Sequence, residues 1–469
     1  MARCRRTTAQ RRTAANQAHA AERDHVSSAS SAPDWLDRLE QDAVGYFLRA
    51  ANPANGLIAD SSRDSAPCSI AATGLGLAAY AVGAERGFLS RGDAAARTLA
   101  ALRFLSDSPQ GEEEDATGHR GFYYHFLDMQ TGRRVWQCEL SMIDTAILIA
   151  GVLTTGCYFT AEGNDEREIR ECARFLYERV DWPWATAGGS VLRMGWKPGA
   201  GFLSYGWEGY SEAMLLYILA LGSPTHPLPP DRYGAWTRTY QWENLYGIDV
   251  LFAAPLFIHQ LSHIWIDFRG IQDAFMREKS CDYFENSRRA TQIQQQYAMR
   301  NPRSFAGYDE HCWGITAGLG PGFTPRQYEH GLERQYHGYV ARGVPFGPDD
   351  GTLAPWAAAA SMPFAPEIVA PTLRHVRDRH PHAISANGLL TSFNPGFKNN
   401  GGGAGGGGDG AIRGWLSPEH QGVDQGPVAL MLENHRSGLL WRLMRGCPAI
   451  VAGLRRAGFR KGWLGSASR

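Results

Sequence analysis

The sequence predicts an all-α protein, either a helical bundle or an α/α barrel. Three observations carry this. Apolar residues recur at helical spacing in a succession of segments, alternation of period two is scarce, and long loops rich in Gly, Pro and aromatic residues join the segments.

Taken in order, the first helix opens at Asp34, a capping residue, with Trp35, Leu36, Leu39, Ala43 and Phe47 on one face. Further helices are expected over 69–83, 91–105, 140–153, 168–179, 212–221, 251–266, 366–377 and 427–444. The 168–179 segment turns Ile169, Cys172, Phe175 and Leu176 inward and its charges outward. Several others are apolar around much of their circumference, which suits the inner helices of a double ring. No internal repeat is evident, so a regular solenoid is disfavoured. Residues 1–33, basic and then Ala/Ser-rich, read as a disordered tail, and 34–464 as a single domain. Residues 399–410, NNGGGAGGGGDG, read as a flexible loop; they lack the Lys-Ser/Thr that closes a phosphate-binding loop.

Bulk properties exclude several function classes. Lys+Arg and Asp+Glu both number 47, so the net charge is zero and offers no footprint for nucleic acid or an anionic membrane. No apolar run reaches the roughly 18 residues of a membrane span. The basic N-terminus lacks the apolar stretch of a signal peptide, which leaves location open. Eight cysteines without CxxC spacing read as free, buried thiols. No cofactor or metal is expected: His259 and His263 have HxxxH spacing, but the glutamate of HExxH is missing.

Carboxylates and aromatics are left to carry the chemistry. The chain has 14 tryptophans, a notable excess, and indole faces can pave a groove against sugar rings. Asp144 lies inside an apolar helix, where a carboxylate is costly unless it is used or paired; Glu139 precedes it and can cap. Glu208 and Glu212 flank Gly209 and Tyr210 before another apolar helix, with Trp207 beside them. A carboxyl among rings can be raised to serve as a general acid. Asp424 precedes Gln425-Gly426-Pro427 and reads as a helix cap or as a base at the mouth of the barrel. The candidate sugar contacts are Trp136, Trp207, Glu208, His259, His263, Arg269, Asp309, Trp313, Asp350, Phe393, Asn394 and Gln425. No GxSxG elbow or dinucleotide-binding unit competes. One acid, one base or nucleophile and a surface for sugars is the residue economy of a glycosidase.

Seven motifs, in order along the chain, resemble a known family: SIAATG at 69–74, ELSMIDTA at 139–146, YSEAM at 210–214, LGSPTH at 221–226, YFENSRR at 283–289, DDGT at 349–352 and DQGP at 424–427. They resemble the glycoamylase-like family, which includes bacterial endo-β-1,2-glucanases and the central domain of cyclic β-1,2-glucan synthases. The resemblance covers 34–464. It implies an (α/α)6 toroid of six-hairpin glycosidase type that hydrolyses a glucan polysaccharide or oligosaccharide, with β-1,2-glucan the expected substrate; separately, a monomer is expected. A periplasmic or extracellular site of action follows from that substrate class. It also implies Glu212 as general acid, with Asp144, Glu139 and Asp424 as supporting or base residues. Three departures stand out: Leu319 and Thr391 where the family pattern has Asp, and the glycine run. They keep two alternatives open, a carbohydrate-binding protein weakened in catalysis and a transglycosylase acting on β-1,2-glucan.

Overall fold

Ser69, Ser90, Ser141, Asp273 and Asp282 each start a helix by accepting a first-turn backbone N–H. The computed structural model describes residues 35–322, 327–329, 332–397 and 414–465. The tail expected over 1–33 and the glycine run at 399–410 lie outside the described residues. The chain divides into two compact units, Met1–Arg38 and Leu39–Arg469, and the second holds the core.

Fifteen helices are described: α1 (Trp35–Ala50), α2 (Ile70–Glu85), α3 (Arg91–Asp107), α4 (Met142–Tyr158), α5 (Asn164–Glu178), α6 (Met214–Gly222), α7 (Asp231–Thr237), α8 (Ala274–Glu278), α9 (Tyr283–Arg300), α10 (Pro355–Ala360), α11 (Pro366–Arg379), α12 (Gly422–Arg436), α13 (Leu439–Arg445), α14 (Pro448–Arg456) and α15 (Gly462–Gly465). Helices α2, α4, α6 and α12 are buried almost all round, whereas α5 buries only one stripe, Ile169, Ala173, Leu176 and Tyr177 among it. Polar surface on one side and apolar on the other fixes the order of packing: α3 and α5 lie against each other and cover α2 and α4.

The buried helices meet backbone to backbone. A Cβ at Gly151 would stand 1.9 Å from the Gly74 carbonyl oxygen, and one at Gly74 would stand 2.5 Å from that of Ile147. Glycines at both positions therefore let α4 close on α2. The same device joins α6 to α14, where a Cβ at Gly222 or Gly453 would lie 2.0 Å from a carbonyl oxygen of the partner helix.

Strands are short. The first seven are β1 (Cys68–Ser69), β2 (Gly118–His119), β3 (Phe122–Tyr124), β4 (Phe126–Leu127), β5 (Leu140–Ser141), β6 (Gly195–Lys197) and β7 (Gly201–Phe202). Five form one antiparallel sheet in the order β2-β3-β5-β6-β7, and β1 pairs with β4. Two of them set helix starts. Ser69 ends β1 and caps α2, accepting the Ala72 N–H; Ser141 ends β5 and caps α4, accepting the Asp144 N–H. The extended backbone of a strand is what an N-cap requires, so each serine completes a ladder and a helix at once.

Two sequence expectations are corrected. Residues 251–266 are not a helix: β-backbone ends at Leu251 and two short 3-10 turns follow, Leu256–His259 and Leu261–Ile264. Pro255 holds an extended conformation and the Phe257 N–H goes to Thr316 Oγ1, so the local amides are satisfied outside a helix. The segment 427–444 is two helices, α12 and α13, divided by Gly438 at φ +69°; α12 already starts at Gly422, with Pro427 inside it. Among the described residues no helix is long and apolar enough to cross a membrane.

Candidate active site

The starts of the buried helices open on one cavity of about 480 Å³. Ser69 caps α2, Ile143, Asp144 and Ile147 come from α4, Glu212 from the turn before α6, and Gln421, Val423, Asp424 and Pro427 from the start of α12. Asp60, His125 and Tyr339 reach it from loops, while Phe126, Phe257, Leu261 and Trp356 supply apolar wall.

Asp144 is the third residue of α4. Ser141 Oγ donates to its Oδ2 at 2.5 Å while accepting its backbone N–H at 3.3 Å. His125 sits between β3 and β4, and thus between the strands that lead into α2 and α4: its N–H donates to the Glu139 carbonyl and its carbonyl accepts the Ile70 N–H. This fixes its ring between two acids, Nδ1 at 3.0 Å from Glu139 Oε1 and Nε2 at 3.6 Å from Asp144 Oδ2. Burial opposes the imidazolium, but Asp144, Glu139 and Asp60 together outweigh it and raise His125 to about 9. In return the hydrogen bond from His125 holds Glu139 below its ordinary value.

The other carboxyls move the opposite way. Burial, with a smaller push from Asp144, raises Glu212 to about 7 against the pull of its own backbone N–H. Burial also raises Asp424 well above the carboxylate range; the Thr391 hydroxyl beside it works against this, and Asp60 and Glu419 add to it. Asp60 rises to about 6 through burial, opposed by His125 and helped by Glu419. The cavity thus sets a carboxyl poised near neutrality, Glu212, in the same space as Asp144, whose carboxylate accepts the Ser141 hydroxyl and faces the His125 ring.

Three of the four acids singled out in the sequence, Glu212, Asp144 and Asp424, share this cavity, and Glu139 reaches it through His125. Among the twelve expected sugar contacts, Trp136 stands beside its wall. It is exposed, its ring 5.2 Å from that of Phe126, and it lines an adjoining cavity of about 680 Å³ with Arg49, Asp128 and Asn387. Glu208 is half exposed and faces Arg238 at 3.6 Å. Trp207 is partly buried, its carbonyl accepting the Tyr217 hydroxyl.

None of these three lines the cavity of about 480 Å³ itself, and neither do the remaining nine. His259 and His263 are buried and lowered by burial to about 4 and about 3; one donates Nε2–H to the Ala253 carbonyl and the other meets Ser287 Oγ at 2.9 Å. They occupy successive 3-10 turns rather than one helical face. Arg269 grips Asp267 and stacks over Trp441. Asp350 is held by Arg342 in a buried pair, and Asn394 donates to the Asp350 carbonyl and to Thr352 Oγ1. Gln425 donates to the Leu389 carbonyl, and Trp313 and Phe393 are core residues. Asp309 is exposed and binds the His311 N–H in its own turn. Asp60, His125 and Tyr339 carry no signal in the sequence, since each lies in a loop or strand junction without periodic pattern.

Mostly helical, with a carboxylate-lined cavity where its buried helices begin, the protein has the make-up of a polysaccharide-processing fold. The glycoamylase family model, described as "Putative glucoamylase", matches residues 204–448, and the chain belongs to that family. It is 27% identical over 461 residues to an exo β-1,2-glucooligosaccharide sophorohydrolase (non-reducing end) of Parabacteroides distasonis; the alignment takes in 90% of this chain and 57% of that relative, so the chain spans little more than half the relative's length. Among solved structures it is similar to an endo-β-1,2-glucanase from Chitinophaga pinensis in complex with sophorotriose and glucose (26% identity, TM-score 0.75, 92% of this chain and 98% of that one). It is also similar to a β-1,2-glucanase from Parabacteroides distasonis (25% identity, TM-score 0.77, 90% of this chain and 59% of that one).

Proposed function

We propose that the protein hydrolyses β-1,2-linked glucan, with Glu212 as general acid and Asp144 as base, beside the buried Asp424. The observation that carries this is the meeting of those three carboxyls in one cavity, Glu212 raised to about 7 by burial. Glu212 protonates the departing glycosidic oxygen, and the base takes a proton from the attacking water or attacks the sugar itself. Glu139 acts through His125 as a positioning residue, turning the imidazole toward Asp144. Phe126, Trp356 and Tyr339, with Trp136 in the adjoining cavity, offer ring faces to successive glucose units. The α2, α4, α6 and α12 helices, buried almost all round, behind the one-sided α3 and α5 support an (α/α)6 toroid. A monomer acting on glucan outside the cytoplasm fits this substrate.

The test is incubation with linear β-1,2-glucan beside starch and β-1,3-glucan, with product size and first-formed anomer followed. Sophorose or short β-1,2-oligosaccharides from the first polymer alone are expected, and their ladder separates exo from endo action. Absence of product from every glucan would overturn the proposal. Roles are separated with sophorosyl fluoride, whose leaving group needs no acid: Glu212→Gln should cleave the fluoride but not the glucan, whereas loss of the base should abolish both.

A further inference from the structure

Away from the cavity, a second group of side chains converges for which the hydrolysis has no use. Cys312 is buried at the end of a tight turn bridged from Asp309 to Cys312, and His375 and His380 lie at the C-terminal end of α11. One ligand atom from each, the thiol sulfur and two ring nitrogens, lies within 4.8 Å of the other two. The two imidazole rings are 5.7 Å apart, and His311 closes the group from the turn, 6.3 Å from His375. None of Cys312, His375 or His380 forms a side-chain hydrogen bond among the described residues, and His311 Nδ1 is buried without a partner. Three ligand-type groups from two distant parts of the chain converge with no side-chain hydrogen bond among the described residues to hold them, and the buried, unpartnered Nδ1 of His311 lies beside them.

We propose that Cys312, His375 and His380 bind a divalent zinc-type cation, with His311, Asp309 or a water completing a tetrahedron. One thiolate and two imidazoles are a ligand set that zinc favours, and calcium and magnesium do not. Zinc–ligand bonds of about 2.0–2.3 Å put tetrahedral ligand atoms about 3.3–3.8 Å apart, so a contraction of roughly 1 Å closes the site. The thiol releases its proton to solvent as the sulfur binds. Two features favour a cation here: the last-turn carbonyls of α11 carry negative partial charge, and Asp309 stands in the same turn as Cys312. The ion would tie α11 to the 309–312 turn, and His380 packs on Phe393 at 4.7 Å, so the tie extends to the strand that follows Thr391.

The experiment strips the full-length protein with chelator and titrates it with Co²⁺ and then Zn²⁺. One equivalent of Co²⁺ should produce a sulfur-to-cobalt charge-transfer band with tetrahedral visible absorption, which one equivalent of Zn²⁺ abolishes. Cys312→Ser should remove the charge-transfer band, and His375→Gln, at a partly exposed position, should weaken binding at least tenfold while the fold is kept. No charge-transfer band, or a band that survives both substitutions, overturns the proposal. Because the readout is spectroscopic, its failure leaves the hydrolysis untouched, and failure of hydrolysis leaves it untouched in turn.

Discussion

His125 Nε2 stands 3.6 Å from Asp144 Oδ2, and the contact joins two elements that meet only in the folded chain. The imidazole is raised to about 9 from an ordinary 6.5, with burial opposing and Asp144, Glu139 and Asp60 prevailing. A raised folded-state value means the stabilisation is complete below about 6.5 and lost as pH rises through about 9. His125→Gln is therefore expected to lower stability by roughly 1–3 kcal/mol at pH 6 and by little at pH 10. Urea unfolding at the two pH values checks this.

Glu212, raised to about 7, should govern the alkaline limb of activity. As acid it must be protonated, so kcat/KM on β-1,2-glucan falls as pH rises through about 7. The same shift acts on stability: the folded state holds the proton longer than the unfolded one, so stability falls between about pH 4.5 and 7. Glu212→Gln should flatten that decline and be the more stable protein at pH 8, by about 1–3 kcal/mol, while losing at least 100-fold in kcat on glucan. Thermal unfolding across pH, with initial rates alongside, measures both.

Arg342 and Asp350 form two parallel hydrogen bonds of 2.8 Å, both side chains fully buried. Removing one partner strands a charge. Asp350→Asn or Arg342→Met should cost about 3–5 kcal/mol, and the double replacement less than the sum. A double-mutant cycle in denaturant tests it, and additive losses would contradict the pairing.

Gly151→Ala would drive a methyl group to 1.9 Å from the Gly74 carbonyl oxygen. The helices must part, at a cost of at least about 1–3 kcal/mol. Gly234, in α7, has open space where its Cβ would go, and Gly234→Ala should gain about 0.5–1 kcal/mol from helix propensity. Opposite signs of the change in Tm are expected.

The parts of the site legible in one dimension are those that break a local rule. Asp144 and Asp424 are carboxylates at the head of apolar helices, and Glu212 sits between rings before one, so each is conspicuous in the sequence. His125, Asp60 and Tyr339 break no such rule and become partners only when β3, β4 and three loops are brought together. Helix periodicity places α2, α4, α5 and α6 within a few residues of where they stand. It fails over 251–266, where apolar spacing persists but Pro255 and Thr316 divert the backbone, and it runs through Gly438, whose left-handed conformation separates α12 from α13. The buried histidines at 259 and 263 resemble binding residues because chemistry and core hydrogen bonding draw on the same side chains.

Acids would ordinarily make a cleft a trap for stray cations. Here Asp144 and Asp424 stand at the amino ends of α4 and α12, and Glu212 just before α6, where the helix dipole presents partial positive charge. The two contributions offset each other locally, as the chain's equal numbers of acidic and basic residues do globally. An uncharged polymer then meets a mouth with little pull on ions, and has no counterion cloud to displace on entering. Capture of such a polymer should proceed at a rate indifferent to ionic strength, so the protein would keep pace in dilute and saline surroundings alike.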